Sequence, residues 1–283
     1  MSAAVEVLGG GFAGLLRAVD ETRRGGRVEF VEPRLRAGGS MATESFLSPF
    51  RFNLGPSLVR RPPLPSLPVL EPEVLLDVDG STLTRAAART GGGALRTAFG
   101  LLLGIDPGAA DAEARLATAC SEVDDLVLVC GGNGVAVACL LDELVAGGST
   151  VVEGVGDVDV PAARGDGLGI CRLFLGLRSG GPDQRALATA VGFRDEQSLA
   201  TRLDALRSGE IQEPLGFLVS NAHLDENLVD GGLRSFVWQG VLPFGADVSR
   251  AAYTERVVAA LGLDPADLIF RLLWLPEETG EAL

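Results

Sequence analysis

The first stretch of the chain constrains the fold most. A short apolar run, Val5 to Leu8, leads into Gly9-Gly10-Gly11-Phe12-Ala13-Gly14. A helical pattern follows, and then a second apolar run, Val28 to Val31, that ends in Glu32. Strand, glycine turn, helix and strand in this order read as a βαβ unit. Each glycine answers a separate need. Gly9 permits a tight turn, Gly11 lets a pyrophosphate approach the backbone, and Gly14 lets the helix pack closely on the strand. The free N–H groups and the dipole at the helix N-terminus then favour the anion. Glu32, eighteen positions after Gly14, stands where a carboxylate accepts hydrogen bonds from an adenosine ribose. A glycine turn alone says little in a chain with 38 glycines. The strand before it, the helix after it and the acid at the end of the next strand together carry the dinucleotide reading.

Beyond Glu32 come Pro33-Arg34, then Ala37-Gly38-Gly39-Ser40-Met41-Ala42-Thr43 and Phe52-Asn53-Leu54-Gly55-Pro56-Ser57. With the glycine turn, these segments resemble the N-terminal FAD-binding region of phytoene desaturases and carotenoid isomerases, a branch of the FAD-dependent amine-oxidase superfamily. The resemblance implies an α/β fold: a Rossmann-like FAD/NAD(P)-binding domain with an interleaved α+β substrate domain. It implies FAD as the cofactor. Gly9, Gly11, Phe12, Ala13 and Gly14 would line the pyrophosphate, and Glu32, Pro33 and Arg34 the ribose end. Gly39, Ser40 and Met41, in the segment that follows the ribose glutamate, would also bind the cofactor, and Gly55, Pro56 and Ser57 would stand near the flavin. Two positions depart from the family pattern. Ser40 stands where the family has an arginine that contacts phosphate, and Asn53 replaces the usual aspartate, so weaker flavin binding is expected.

Further along, Leu126 to Cys130, Gly131-Gly132-Asn133-Gly134 with its helix to about Val145, and Thr150 to Glu153 are similar to the family's strand, glycine helix and rejoining strand. A second phosphate loop at Gly131 to Gly134 is disfavoured, because no Lys-Ser/Thr follows as a P-loop requires. The next family strand would be Gly154 to Val160. Residues 1–60 and 126–165 are thus expected to form the nucleotide domain, and 61–125 and 166–283 the substrate domain. In the family the chain continues past Pro276 to Gly280 into a glycine-rich segment that closes over the flavin. Its absence from this sequence implies an open apolar cleft and a free sheet edge, to be covered by a second copy or a dedicated partner.

Between these motifs, five prolines from Pro62 to Pro72 deny helix and central strand, which leaves a linker or covering loop. Glu73 to Thr84 reads as a hairpin turning at Asp79-Gly80. Two helical patterns flank Asp106-Pro107-Gly108. Strands are expected at Gly169–Leu177, Leu215–Val219, Arg234–Leu242 and Ile269–Leu275, with a turn at Asp230-Gly231-Gly232. Helices are expected from Asp195 to Arg207 and from Ser249 to Leu261, the second closed by Gly262.

Composition bounds the partners. The chain has no lysine, so 24 arginines face 38 acids, for a net charge of −14. Such acidity disfavours nucleic acid and anionic membrane surfaces. No signal peptide or membrane span is legible, and Cys120, Cys130, Cys139 and Cys171 lack metal-site spacing, so a cytoplasmic protein with reduced thiols is expected. A mean hydropathy of +0.28 points to an apolar ligand or a large interface. His223 reads as a structural histidine, Trp238 and Trp274 as core or interface aromatics, Tyr253 as a residue of an amphipathic helix, and Asp111, Glu113, Glu122, Asp124 and Asp125 as a solvated face. No Ser-His-Asp or paired-carboxylate constellation is visible. Two functions stay open. One is an FAD-dependent oxidoreductase of desaturase or isomerase type acting on an apolar or secondary-metabolite substrate, whose cofactor carries the chemistry. The other is a related subunit that has lost FAD and acts by binding or scaffolding.

Overall fold

A computed structural model describes residues 5–9, 11–32, 37–90, 92–154, 167–178, 186–211, 213–224 and 232–283. The chain opens with β1 (Val5–Leu8), α1 (Phe12–Arg23) and β2 (Val28–Glu32). It passes a hairpin of β3 (Thr43–Leu47) and β4 (Phe50–Asn53), then two short strands, β5 (Val59–Arg60) and β6 (Val69–Leu70). Next come β7 (Val74–Val78), β8 (Ser81–Thr84), α2 (Arg85–Thr90), α3 (Ala94–Leu102) and α4 (Ala112–Ser121). The chain returns through β9 (Leu126–Val129), α5 (Asn133–Ala146) and β10 (Thr150–Glu153). The remainder is β11 (Leu168–Leu177), β12 (Ala188–Val191), α6 (Glu196–Arg207), β13 (Gly216–Ser220), β14 (Arg234–Pro243), α7 (Arg250–Ala260), β15 (Leu268–Trp274) and α8 (Pro276–Thr279).

The first unit is a parallel sheet in the order β1-β2-β10, with Val5 opposite Val28 and Thr150 opposite Glu29. Parallel neighbours need a crossover, and α1 provides the one between β1 and β2. Its Leu15, Ala18 and Val19, at helical spacing, turn inward onto Val7 and Phe30, where Ala136, Leu140 and Leu144 of α5 join them. Thr22 on α1 and Ser149 before β10 share a 2.8 Å hydroxyl contact, and Ser149 Oγ also accepts from the Val28 N–H. β5 and β6 both pair with β9, and Val59, Leu64, Leu67 and Val69 enter the same core. The proline stretch is therefore packed wall rather than linker as far as residue 70, and the packing does not change at residue 60. The prolines still act as expected, since they restrict pairing here to two-residue strands.

The second unit is a seven-stranded sheet in the order β15-β11-β14-β13-β12-β7-β8, antiparallel except where β12 meets β7. β11 is buried along its whole length because both faces are covered. On one face, Cys171, Leu173 and Leu175 meet Trp238 and, on α7, Tyr253 and Val257. On the other, Phe174 meets the β3–β4 hairpin and β15: its ring centroid lies 5.2 Å from Phe46, 5.4 Å from Phe52 and 5.1 Å from Trp274. A further core under α3, α4 and α6 joins Phe99, Leu116 and Leu203 to Leu75 and Phe217.

Local signals explain most of these boundaries. Asp79 and Gly80 have φ values of 50° and 82°, the left-handed pair that a two-residue hairpin turn requires. Asp195 accepts from the Ser198 N–H at 2.7 Å while Ser198 Oγ accepts from the Asp195 N–H, a reciprocal cap that starts α6 and holds the Asp195 carboxyl below its usual range. Several elements escaped the sequence reading, among them the β3–β4 hairpin, β5, β6, α2, β12 and α8. α2 carries no strong periodicity, and β12 is four small residues recruited by its neighbours. The strand expected at Gly154–Val160 lies, beyond Gly154, outside the described residues, as does the turn at Asp230-Gly231. No described helix is long and apolar enough to cross a membrane.

Candidate functional site

The open end of α1 is the centre of the site. β1 finishes at Leu8, and Gly9 reverses the chain with a φ of 98°, a conformation that L side chains rarely adopt. Gly14 carries no Cβ because one there would lie inside the van der Waals radius of the Gly9 carbonyl oxygen. Gly11, by contrast, has extended backbone (φ −65°, ψ 159°), and its missing Cβ would meet nothing within 4 Å. Among the described residues no side chain caps α1, and Gly11 and Ala13 are exposed, which leaves this helix end open to water or a ligand on the described side. Glu32 is buried at the end of β2, where its carbonyl accepts from the Gly154 N–H.

The second motif segment folds against this end. Gly38 pairs with Gly11 as an isolated bridge, and Gly39–Met41 makes a single 3-10 turn with Met41 buried and Ser40 exposed. Glu153, at the end of β10, fixes the turn by accepting from the Ala37 N–H at 2.8 Å. Gly55 sits so close to the Ser40 carbonyl that a Cβ would collide with it, which brings Gly55-Pro56-Ser57 alongside Gly39-Ser40-Met41. The fold thus gathers the expected residues except Pro33 and Arg34, which lie outside the described residues.

The second glycine loop is closed by the protein itself. Asn133 N–H donates to Asn53 Oδ1 at 2.9 Å, Gly134 N–H donates to Thr43 Oγ1 at 2.9 Å, and Thr43 donates in turn to Asn53 Oδ1 at 2.8 Å. Asn133 Nδ2 reaches the Pro56 carbonyl, and Gly131 N–H reaches the His223 carbonyl at 3.0 Å. These bonds consume the donors that a phosphate would need. They also give Asn53, at the family's aspartate position, a visible task. Burial pushes the His223 imidazole down to about 4, so it is neutral at physiological pH and fits the structural reading. Burial likewise drives the Cys171 thiol up to about 12 and the Tyr253 hydroxyl well above its usual value, which leaves this pair inert.

Between the two units lies a cavity of about 390 Å³, lined by Ser40 and Pro56 from the first and by Leu102, Ile170, Arg172, Gln239 and Glu281 from the second. Arg172, Gln239 and Glu281 were not singled out from the sequence. The available signal was one charge inside the otherwise apolar run Gly169 to Leu177. The segment 276–283 folds back along β11 beyond the end of β15, with Ile170 N–H bonded to the Glu281 carbonyl and Leu283 N–H to the Leu168 carbonyl. The cleft and sheet edge expected to stand open are here partly covered from within the chain. A larger, open groove of about 790 Å³ beside α6, bordered by Asp79, Arg194 and Arg202, touches none of the motif residues.

The family of NAD(P)-binding Rossmann-like domains matches residues 7–67, the segment that holds α1, Glu32 and Gly55 to Ser57. No curated protein matches. Among solved structures, a Pyrococcus furiosus protein is similar at 10% identity and a TM-score of 0.61, covering 96% of this chain and 88% of that one. A reduced UDP-galactopyranose mutase is similar at 12% identity and 0.61, covering 98% and 82%. An oxidoreductase from Methanosarcina mazei is similar at 10% and 0.60, covering 98% and 89%. At such identities the likeness is one of fold. The chain is a mixed α/β protein with a Rossmann-like NAD(P)-binding domain.

Proposed function

We propose that the protein is an FAD-dependent oxidoreductase of desaturase or isomerase type, acting on an apolar or secondary-metabolite substrate. The observation that carries this reading is the uncapped, exposed N-terminus of α1 beside the buried Glu32. The residues fit the adenosine diphosphate half of FAD: open space stands at Gly11, no side chain among the described residues caps the first turn of α1, and a carboxylate ends β2. When bound, FAD supplies the redox chemistry through its isoalloxazine ring. The chain's own part is to hold the pyrophosphate on Gly11 to Gly14, accept the ribose on Glu32, flank the ring with Gly39–Met41 and Gly55–Ser57, and exclude water with the walls of β11 and β14. A cytoplasmic location accords with four free cysteines.

A second reading, a binding or scaffolding subunit without independent catalysis, draws support from Ser40, an exposed hydroxyl where the resembled family has a phosphate-contacting arginine. An absorbance spectrum of the purified protein, followed by titration with FAD, separates the two. A flavin band or saturable binding supports the oxidoreductase; no binding at saturating FAD overturns it. Under either reading a homo-oligomer or a dedicated partner is expected, and light scattering at micromolar concentration tests it.

A further inference from the structure

We infer that the cavity between the two units takes a small organic carboxylate, anchored by Arg172, and that Glu281 occupies the anchor when no ligand is present. The inference rests on the reading above only in treating this cavity, which opens on Ser40 and Pro56, as the substrate site. Its physical basis is the contrast between two buried arginines. Arg85 donates from Nε, Nη1 and Nη2 to the carbonyls of Pro72, Val123 and Leu126, so its guanidinium is fully used by the backbone around it. Arg172 is 1% exposed, yet it is used incompletely. Nη1 donates to the Leu54 carbonyl at 3.0 Å and Nη2 pairs with Glu281 Oε2 at 2.7 Å, while Nε is buried with no acceptor. A buried donor without a partner is costly, and a guanidinium's planar fork is matched to two-point recognition of a carboxylate.

The surroundings favour a ligand as the missing acceptor. Arg172 is the one cation among the described residues that line the cavity. Opposite it on β14, Gln239 is fixed by donation to the Leu102 carbonyl at 2.8 Å. The volume of about 390 Å³ suits a molecule with one ring. Glu281 is placed to yield. Its side chain keeps 25% exposure, and its segment is held to β11 by backbone bonds that do not involve the carboxylate. The carboxylate can therefore turn to solvent while the strand pairing stays. Glu281 also identifies the ligand's chemistry, because it shows that the wall accepts a carboxylate on Nη2. A single facing cation balances a monoanion and leaves a dianion uncompensated, and a net charge of −14 opposes dianions further.

The test uses benzoate as the probe, with benzyl alcohol as its neutral counterpart and phenyl phosphate as the dianion, measured by calorimetry on the full chain. Removing the competing charge in Glu281→Gln should tighten benzoate about tenfold, the scale of one charge-assisted contact, and leave benzyl alcohol unchanged. Arg172→Met should abolish benzoate binding. If that variant fails to fold, the comparison of Glu281→Gln with the native chain still decides. Equal benzoate affinity in those two proteins overturns the role of Glu281, benzoate binding that survives in folded Arg172→Met overturns the anchor, and a preference for phenyl phosphate overturns the carboxylate. Gly11→Val provides a separate check: loss of FAD with benzoate retained concerns the α1 site alone, whereas failure of the native chain to bind FAD while Arg172-dependent benzoate binding holds sinks the cofactor reading without touching the anchor.

Discussion

The N-termini of α1 and α5 are built from the same local pattern and end in opposite chemical states. Each helix follows a short apolar strand and a run of glycines, and each begins near residues 38–43. At α5 the hairpin of β3 and β4 delivers Thr43 and Asn53 onto the first N–H groups, so the chain is its own ligand. At α1 no side chain among the described residues caps the first turn, and Gly11 and Ala13 are exposed. A glycine loop before a helix therefore shows that something approaches the backbone closely. What the tertiary structure places opposite decides whether that is a ligand or the protein.

The strongest way to break this comparison is Gly11→Val. Its backbone is extended and its Cβ direction is open, so valine fits the free protein, and the thermal midpoint should hardly move. FAD affinity should fall by about 100-fold or more, since the added methyls fill the space that the pyrophosphate needs. A large loss of stability with flavin retained would show that the α1 turn, too, is closed by the protein.

At α5 the reverse is expected. Asn53→Ala removes an acceptor shared by Asn133 N–H and Thr43, and should cost about 2–3 kcal/mol in urea unfolding with little change in FAD affinity. The same end gives a pH signature through His223, whose carbonyl holds Gly131. Its folded pKa is depressed, so the unfolded chain takes up a proton first. Stability is flat above the ordinary imidazole value of 6.5 and falls as pH drops toward about 4. From pH 7 to 4.5 this amounts to about 2–3 kcal/mol, and His223→Asn should remove that part of the slope. The smallest effect belongs to Glu32→Gln, which keeps shape and loses charge. About tenfold weaker FAD binding is expected, measured by flavin fluorescence.

How far the sequence reached is clearest residue by residue. Gly9, Gly14 and Glu32 were legible because a tight turn, a close helix–strand contact and an acid at a strand end are short-range requirements that fix residue types at fixed spacing. The same holds for Asp79-Gly80, for the helix start at Asp195 and for the strand that becomes β11. Asn53 was legible only as a departure from a pattern, and its work on α5, eighty positions away, was not. The stretch from Pro62 to Pro72 read as a linker or a covering loop because its local chemistry forbids regular structure. Whether an irregular segment packs is settled by the surface it meets, here β9. Arg172 was not singled out, and although it is a charge inside an apolar run, its partners Leu54 and Glu281 lie more than a hundred positions away on either side. Local sequence determined backbone conformation, turn chemistry and the direction of apolar faces, since these depend on neighbours within a few residues. Only the tertiary structure decided which polar groups found partners, because burial and hydrogen bonding are set by whatever the fold brings across from distant parts of the chain.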